Sequence, residues 1–427
     1  MKEDFLMFIW ERQYFDKNNL TTVQGKSLSV LKPGNINTQA GPDFHQAHIL
    51  LDQQLWVGEV EIHVKSSEWF LHNHHKDQAY DQVILHVVWS DNREIDTASG
   101  GKLPTLVLKN RISKELLLRH KHLNNSHLKI PCESLSYKIE LSDLESMLNL
   151  TTAQRLLGRS SEVLGLLQKH ENDWDQVTYL MYGKNFGFYL NSAAFSLLVR
   201  CVPLSIVRKL RFNLFQLEAL FFGQAGFLQS VSGDSYFKKL QIEYHYLKEK
   251  YQLPDGIVKT SIWKYLRLRP PNFPTIRIAQ FAAFMQTDGY RFSDIREFTE
   301  TNPDKLTGIK PSPYWQYHYD FGKKGGKGGV FGESSSKYLV INTVVPMLVA
   351  YSIYTGQPEI HRRAILLLNN LSPEKNHIIT YWKGMGFKVS SAQESQALLE
   401  LYHKYCTMKR CLQCEIGKSL LTQNESL

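Results

Sequence analysis

The sequence predicts an α+β protein, with a small α/β domain in residues 1–130 and a mostly α-helical region in residues 131–427. Alternating apolar and polar residues recur in the first hundred residues, as is typical of strands. Apolar residues at helical spacing dominate from about residue 140 to 300. At 427 residues the chain is also too long for one ordinary core, so we expect two or three domains.

The N-terminal elements are predicted in the order α-β-β-β-α-β. Residues 4–13 have the spacing of an amphipathic helix. A short helical piece is expected at about 74–81, before an apolar strand at 83–89 and another strand at 105–108. Three strand-like segments separated by turn residues lie between the two helices, at 21–31, 43–51 and 56–65.

The second region reads as a series of helices. The first two are expected at residues 141–150 and 152–167, and Ser142 and Asp143 are residue types that cap helix starts. The last helices are expected at 343–355, 358–370 and 393–406. A Gly/Lys-rich segment at 323–330 interrupts this pattern and is expected to form a loop.

Composition is that of a globular protein with a basic surface. Hydrophobic residues make up 43% and charged residues 21%, which argues against extended disorder. The net charge of +9 favours an anionic partner such as nucleic acid. The sequence gives no indication of oligomeric state.

The chain is expected to be cytoplasmic. Its acidic start has no apolar segment of the kind that a secretory signal needs. The longest apolar run, residues 338–354, contains Asn342 and Pro346 and is shorter than the roughly 20 residues of a membrane span. Five cysteines are too few for a disulfide framework.

The third predicted strand carries an unusual row of ionisable side chains. Alternate residues of a strand share a face, so Glu59, Glu61, His63 and Lys65 point the same way. A hairpin would bring Asp43, at the start of the preceding strand, close to Glu61. Two carboxylates on neighbouring strands are suitable ligands for Mg²⁺ or Mn²⁺. The alternative is that this row is only the polar outer face of an antiparallel sheet.

These residues resemble the PD-(D/E)XK nuclease superfamily: a Pro-Asp step at Asp43, then Glu61-Ile62-His63, on an αβββαβ frame. The resemblance implies a nuclease, or nuclease-like phosphodiesterase, in which Asp43 and Glu61, with Glu59 as a further candidate, bind the metal. His63 stands where that superfamily has lysine, and it or Lys65 would orient the water or stabilise the developing charge. The alternative is a catalytically inactive nucleic-acid-binding or scaffolding protein on the same fold.

The segment after the third strand holds further candidates. In nuclease cores the helix at this place often carries phosphate-binding groups, which makes Gln78 and Tyr80 candidate nucleic-acid contacts. His72 and His74 are alternative zinc ligands, because imidazole suits zinc. A solvated helix start is the competing interpretation.

Cysteines cluster near the C-terminus. Cys406, Cys411 and Cys414 form Cys-x4-Cys-x2-Cys, which matches part of the plant-type iron–sulfur pattern. Cys132 is the candidate fourth ligand of a zinc or iron–sulfur site, whereas Cys201 lies in an apolar helical run and reads as core. The alternative is a set of reduced, partly buried thiols.

The Gly/Lys-rich loop supplies the last candidates. It lacks the Gly-Lys-Ser/Thr ending of a phosphate-binding P-loop. Lys323, Lys324 and Lys327 could instead contact a nucleic-acid backbone, and a plain connector is an equally good interpretation.

Several segments together resemble the uncharacterised family catalogued as domain of unknown function 2851. They are residues 41–44, 58–63, 83–89, 222–226, 269–270 and 341–346 and the terminal Cys-x4-Cys-x2-Cys-x-Ile-Gly motif. The resemblance covers nearly the whole chain and implies a bacterial intracellular protein, with no particular activity, so function depends on the site argument.

Overall fold

A computed structural model describes residues 1–97, 100–230, 233–254, 258–287, 290–298, 306–326 and 328–423. The chain folds into two compact units, one made of Met1–Met147 with Leu401–Leu427 and the other of Leu148–Glu400. The α+β class is confirmed: the protein is 56% helical, with a mixed sheet near the N-terminus and a helical region after it. The last residues thus belong to the first unit, although the sequence pattern groups them with the helical region.

The first unit is built on a mixed six-stranded sheet. Its elements are α1 (Glu3–Arg12), β1 (Leu28–Lys32), β2 (Asn35–Ile36), β3 (Phe44–Leu51), β4 (Gln54–Lys65), α2 (Glu68–Leu71), β5 (Val83–Ser90), β6 (Thr105–Val107) and α3 (Lys114–Asn125). The strand order is β1-β3-β4-β5-β6, with β2 paired to β3. β1, β3 and β4 run antiparallel, whereas β5 and β6 continue parallel to β4.

The pairing register places the two predicted acids opposite each other. Phe44 of β3 pairs with Val60 of β4, so the antiparallel register brings Asp43 to the level of Glu61. The ladder is irregular between Phe44 and Ala47, where Gln46 has a φ of 57°. Such a bulge re-aims the side chains beside it and is common next to functional sites.

The short helical piece predicted at residues 74–81 is present as two 3₁₀ turns, His74–Lys76 and Gln78–Tyr80, and not as one continuous helix. Asn73 has a left-handed φ of 62°, and Asp77 is extended, with its side chain accepting a hydrogen bond from the Ala79 N–H. Asn and Asp favour such local bonds over continuing a helix, so the chain turns twice and carries His74 back toward the sheet.

The second unit consists of packed helices and one small hairpin. The remaining elements of the chain are α4 (Leu141–Lys169), α5 (Trp174–Phe186), α6 (Phe188–Cys201), α7 (Leu204–Leu210), α8 (Leu214–Gln224), α9 (Ser235–Tyr251), α10 (Pro274–Gln286), α11 (Phe292–Arg296), α12 (Pro313–Tyr317), β7 (His318–Asp320), β8 (Lys323–Lys324), α13 (Glu333–Leu339), α14 (Val345–Thr355), α15 (Pro358–Asn370), α16 (His377–Gly384), α17 (Ala392–Leu401) and α18 (Glu415–Thr422). The last of these lies in the first unit.

One helical segment of the described chain, Glu333–Thr355, is long and apolar enough to cross a membrane, and a second candidate arises only if α6 and α7, bent by 80°, count as one span. The segment Glu333–Thr355 is longer than the apolar run at 338–354, because a π-turn, Val340–Val344, joins α13 to α14 as one continuous helix. Of the apolar stretch within this segment, 72% is buried in the protein. Burial of this degree is typical of a core helix.

Candidate metal centre

Asp43 and Glu61 meet at one point of the sheet. The Asp43 N–H donates to Glu61 Oε2 at 3.1 Å, and the Ile62 N–H donates to Asp43 Oδ2 at 2.9 Å. Glu61 is only 5% exposed. Each carboxylate is therefore anchored by the backbone of the other strand, and the structure brings together the two acids that the sequence singles out.

Positive charge is scarce around these acids. Burial, opposed by the Ile62 N–H, raises the pKa of Asp43 to about 6. Burial and the nearby Asp43 raise the pKa of Glu61 to about 9. Neither acid forms an ion pair with a lysine or arginine in the described part of the chain. A buried and a half-buried acid with raised pKa values and no lysine or arginine partner are arranged as a cation site would be.

Two more acids lie nearby, and the sequence indicates only one of them. Glu59 is half-buried, and its Oε1 lies 2.7 Å from His45 Nδ1. Glu3 comes from the first turn of α1, which packs against β4. Burial and the charge of Asp43 raise the pKa of Glu3 to about 7. Nothing in the local sequence marks Glu3, because it reaches the site through long-range packing of α1.

Imidazoles complete the donor set. His74 Nε2 lies 3.1 Å and His63 Nε2 lies 3.6 Å from Glu61 Oε1. One ligand nitrogen each of His63, His72 and His74 lies within 4.8 Å of the other two. His74 Nε2 is buried yet makes no hydrogen bond of acceptable geometry with described atoms, including Glu61. An unpaired buried nitrogen facing a carboxylate fits a cation shared between them.

His63 belongs to a row of contacting imidazoles. Its Nδ1 lies 2.8 Å from His86 Nε2, and its Nε2 lies 3.1 Å from His72 Nδ1. Burial lowers the pKa of His63 to about 3, that of His74 to about 4, and that of His86 well below its ordinary value. Each neutral ring has one N–H and one lone pair. If His63 donates from Nδ1 to His86, its Nε2 lone pair is directed as a metal ligand's would be.

The lysine position of the nuclease pattern is thus filled by an uncharged, fully buried ring. A neutral imidazole cannot supply the positive charge of a lysine, so His63 suits metal ligation better than charge stabilisation. Lys65 is exposed and makes no ion pair with Asp43, Glu59 or Glu61. The structure therefore brings His63 to the acids and leaves Lys65 apart from them.

Tyr80 borders the site, whereas Gln78 does not. The Tyr80 ring stacks on His74 with centroids 3.8 Å apart. Burial, followed by the charges of Glu61 and Asp43, raises the pKa of Tyr80 to about 12. Gln78 is exposed at the start of its 3₁₀ turn.

The donor chemistry can be compared with the expected metals. Carboxylates suit Mg²⁺ and Mn²⁺, while imidazoles suit zinc and other transition metals. Asp43 and Glu61 alone would fit either of the first two ions, whereas the nitrogens of His63 and His74 would suit a transition metal. His72 and His74 also lie together as the zinc alternative requires, with His63 as a third donor.

The predicted basic loop is only partly loop. Lys323 and Lys324 form β8, which pairs with β7 in a hairpin, and both are exposed. Lys323 Nζ lies 2.9 Å from Asp320 Oδ2, which partly neutralises it. Lys327 lies outside the described residues.

Comparisons with known proteins place the chain in one family. The profile of that family, described as "Protein of unknown function (DUF2851)", matches residues 3–377 and so includes the acids and histidines of the candidate metal centre. The match is shorter than the sequence motifs indicate, because Cys406, Cys411 and Cys414 lie beyond it. No curated protein and no solved structure matches the chain, so the PD-(D/E)XK resemblance stays a prediction. The chain belongs to the DUF2851 family.

Proposed function

We propose that this protein is a metal-dependent phosphodiesterase that cleaves DNA or RNA. The observation that carries the proposal is the convergence of the half-buried Asp43 and the buried Glu61, neither of which has a lysine or arginine ion-pair partner in the described chain. The unpaired His74 Nε2, 3.1 Å from Glu61, supports it.

Each residue of the candidate metal centre would have a separate role. A divalent cation at this place would polarise a phosphoryl oxygen and lower the pKa of a bound water. Asp43 and Glu61 would hold the cation, and Glu59 would add negative charge beside them. His86 orients His63 through the 2.8 Å contact, so that His63 presents Nε2 toward Glu61.

His72 is the solvent-facing imidazole of the three. Its Nδ1 is within hydrogen-bond distance of His63 Nε2, and the rest of the residue is exposed. Substrate would therefore approach the site from the side of His72.

A second function, nucleic-acid binding without cleavage, is favoured by one observation. His63 is buried and neutral at the position where the PD-(D/E)XK pattern has a charged lysine. A site that lacks this charge would stabilise the transition state less. The net charge of +9 supports binding in either case.

Cleavage of single-stranded and duplex DNA and RNA with Mn²⁺ tests the proposal. The variants are Asp43→Asn and Glu61→Gln, which keep the size of each side chain. Glu115→Gln is the matched control, because Glu115 is an exposed acid on α3 of the same unit. We expect the first two to lose about 100-fold or more of the activity and the control to keep it.

Three results would decide against phosphodiester cleavage. They are equal cleavage rates in the wild type and all three variants, no cleavage by the wild type under any condition, and cleavage that does not depend on Mn²⁺. Salt-dependent binding by a wild type that cleaves nothing would select the second function.

A further inference from the structure

Four of the five cysteines lie together in the first unit. Cys132, Cys406 and Cys414 are each at most 9% exposed, and Cys411 is half-buried. All are free thiols, and none takes part in the candidate metal centre. The fifth, Cys201, lies in α6 of the other unit.

Two distant stretches of the chain bring these thiols together. Lys409 Nζ donates to the Asn124 carbonyl at 2.9 Å, and Gln423 Nε2 donates to the Lys138 carbonyl at 2.9 Å. These bonds tie the residues around the last three cysteines to those on both sides of Cys132. Cys406 is close enough to interact electrostatically with all three other thiols.

Without a ligand this arrangement is unfavourable for thiolates. Burial raises the pKa of Cys132 to about 12 and that of Cys411 to about 11, and the neighbouring thiols raise both further. Buried cysteines can also act as small apolar residues. A metal–thiolate site, however, requires several thiols that come close together, and these four cysteines do so from two distant segments of the chain.

The local backbone favours bound thiolates. Cys414 occupies the residue position before α18, and the N–H groups of Gly417 and Ile416 oppose the effect of burial on its pKa. Gly417 lets the Cys411 backbone pack closely against the start of α18, because a Cβ at this position would lie 2.2 Å from the Cys411 carbonyl oxygen. The nearby Lys409 and Lys418 ammonium groups favour negative charge on Cys411 and Cys414.

Sulfur spacing separates a cluster from a single zinc ion. Sulfurs bound tetrahedrally to one zinc at about 2.3 Å lie only about 3.8 Å apart. Among the described residues no three of these sulfurs lie within 4.8 Å of one another. An iron–sulfur cluster spreads its four thiolates over two or four irons and so holds some of them farther apart. We infer that Cys132, Cys406, Cys411 and Cys414 bind an iron–sulfur cluster, which links residues near the C-terminus to the α/β part of the chain.

Metal and sulfide analysis of the full chain, purified without oxygen, tests this inference. We expect iron and acid-labile sulfide in equal amounts, about two or about four of each per chain, with visible iron–thiolate absorption. Cys201→Ser, the matched control, should keep both. Cys411→Ser, at the least buried of the four positions, should lose most of the iron.

The opposing results are equally concrete. Zinc alone, neither metal after anaerobic reconstitution with iron and sulfide, or unchanged iron in Cys411→Ser would each overturn the cluster. If Cys411→Ser does not fold, the Mössbauer spectrum of the wild type decides, since cluster iron supports the inference and loosely bound ferrous iron contradicts it. Cleavage plays no part in these readouts, so the result is independent of the proposed function.

Discussion

Each unit of the protein buries a carboxylate, and the two carboxylates are treated in opposite ways. Glu218 on α8 is completely buried, and it accepts hydrogen bonds from the hydroxyls of Tyr236 and Ser312 and from the Ser312 N–H at 3.4 Å. Glu61 on β4 is buried beside Asp43, and an unpaired imidazole nitrogen faces it. Both have raised pKa values, about 7 for Glu218 and about 9 for Glu61.

The difference shows what separates a structural acid from a functional one. Neutral donors satisfy Glu218 within the fold, so nothing further is needed to stabilise it. At Glu61 the neighbours are another acid and neutral imidazoles, and the fold itself supplies no compensating charge. A divalent cation would compensate the charge of Glu61, whereas Glu218 already has hydrogen-bond donors around it.

The largest effect should come from exchanging these two acids for amides. Glu61→Gln removes a ligand charge, so we expect its Mn²⁺ affinity to fall by more than the ~10–100-fold that loss of a supporting partner costs. Glu218→Gln should leave the affinity unchanged. Calorimetric titration of both variants measures this, and a similar loss in both would remove the distinction between the two sites.

The second effect is on stability and concerns Glu218. Its folded pKa of about 7 exceeds the ordinary 4.5, so below pH 4.5 both states are protonated and the acid costs nothing. Between pH 4.5 and 7 only the unfolded state loses its proton, and the free energy of unfolding falls by about 3 kcal/mol.

Glu218→Gln should flatten this fall, because an amide does not ionise. Urea unfolding of wild type and variant at pH 4, 6 and 8 measures it, without added metal. A wild type and a variant whose stabilities change in parallel over this range would show that Glu218 is ionised in the folded protein.

The third effect concerns the support of His63. His86→Phe keeps a ring of similar size but removes the partner of His63 Nδ1, so we expect Mn²⁺ affinity to fall about tenfold. His122→Phe, at an exposed position on α3, is the control. Unchanged affinity in His86→Phe, with the fold intact by circular dichroism, would mean that His63 is not a ligand.

The smallest effect is expected in the β7–β8 hairpin. Lys324→Ala should weaken nucleic-acid binding by about threefold and reduce the salt slope by about 1, as loss of one phosphate contact does. Lys323→Ala should do less, because Lys323 is paired with Asp320. Equal binding by both variants and the wild type would remove the hairpin from the interface.

Periodicity predicted the framework well, because each strand repeats its own pattern locally. The strands at Phe44–Leu51 and Gln54–Lys65 lie within two residues of the predicted ones, and their hairpin brings Asp43 to Glu61. The helical piece predicted after them is divided into two 3₁₀ turns, because Asn73 and Asp77 make local turns that apolar spacing does not reveal.

The parts of the site that the sequence missed arrive through tertiary packing. His86 lies within an apolar strand and reads as core, and only the parallel pairing of β5 with β4 places it next to His63. Glu3 depends on how α1 packs against β4. The His-x-His step was visible, but the third nitrogen from His63 required the three-dimensional fold.

Calorimetric titration of Mn²⁺ into the full-length wild type and Asp43→Asn tests the candidate metal centre most directly. Binding of at least one ion by the wild type, weakened about 100-fold or more in Asp43→Asn, is the predicted result. No heat of binding with the wild type, or equal affinity in the two proteins, would contradict the account.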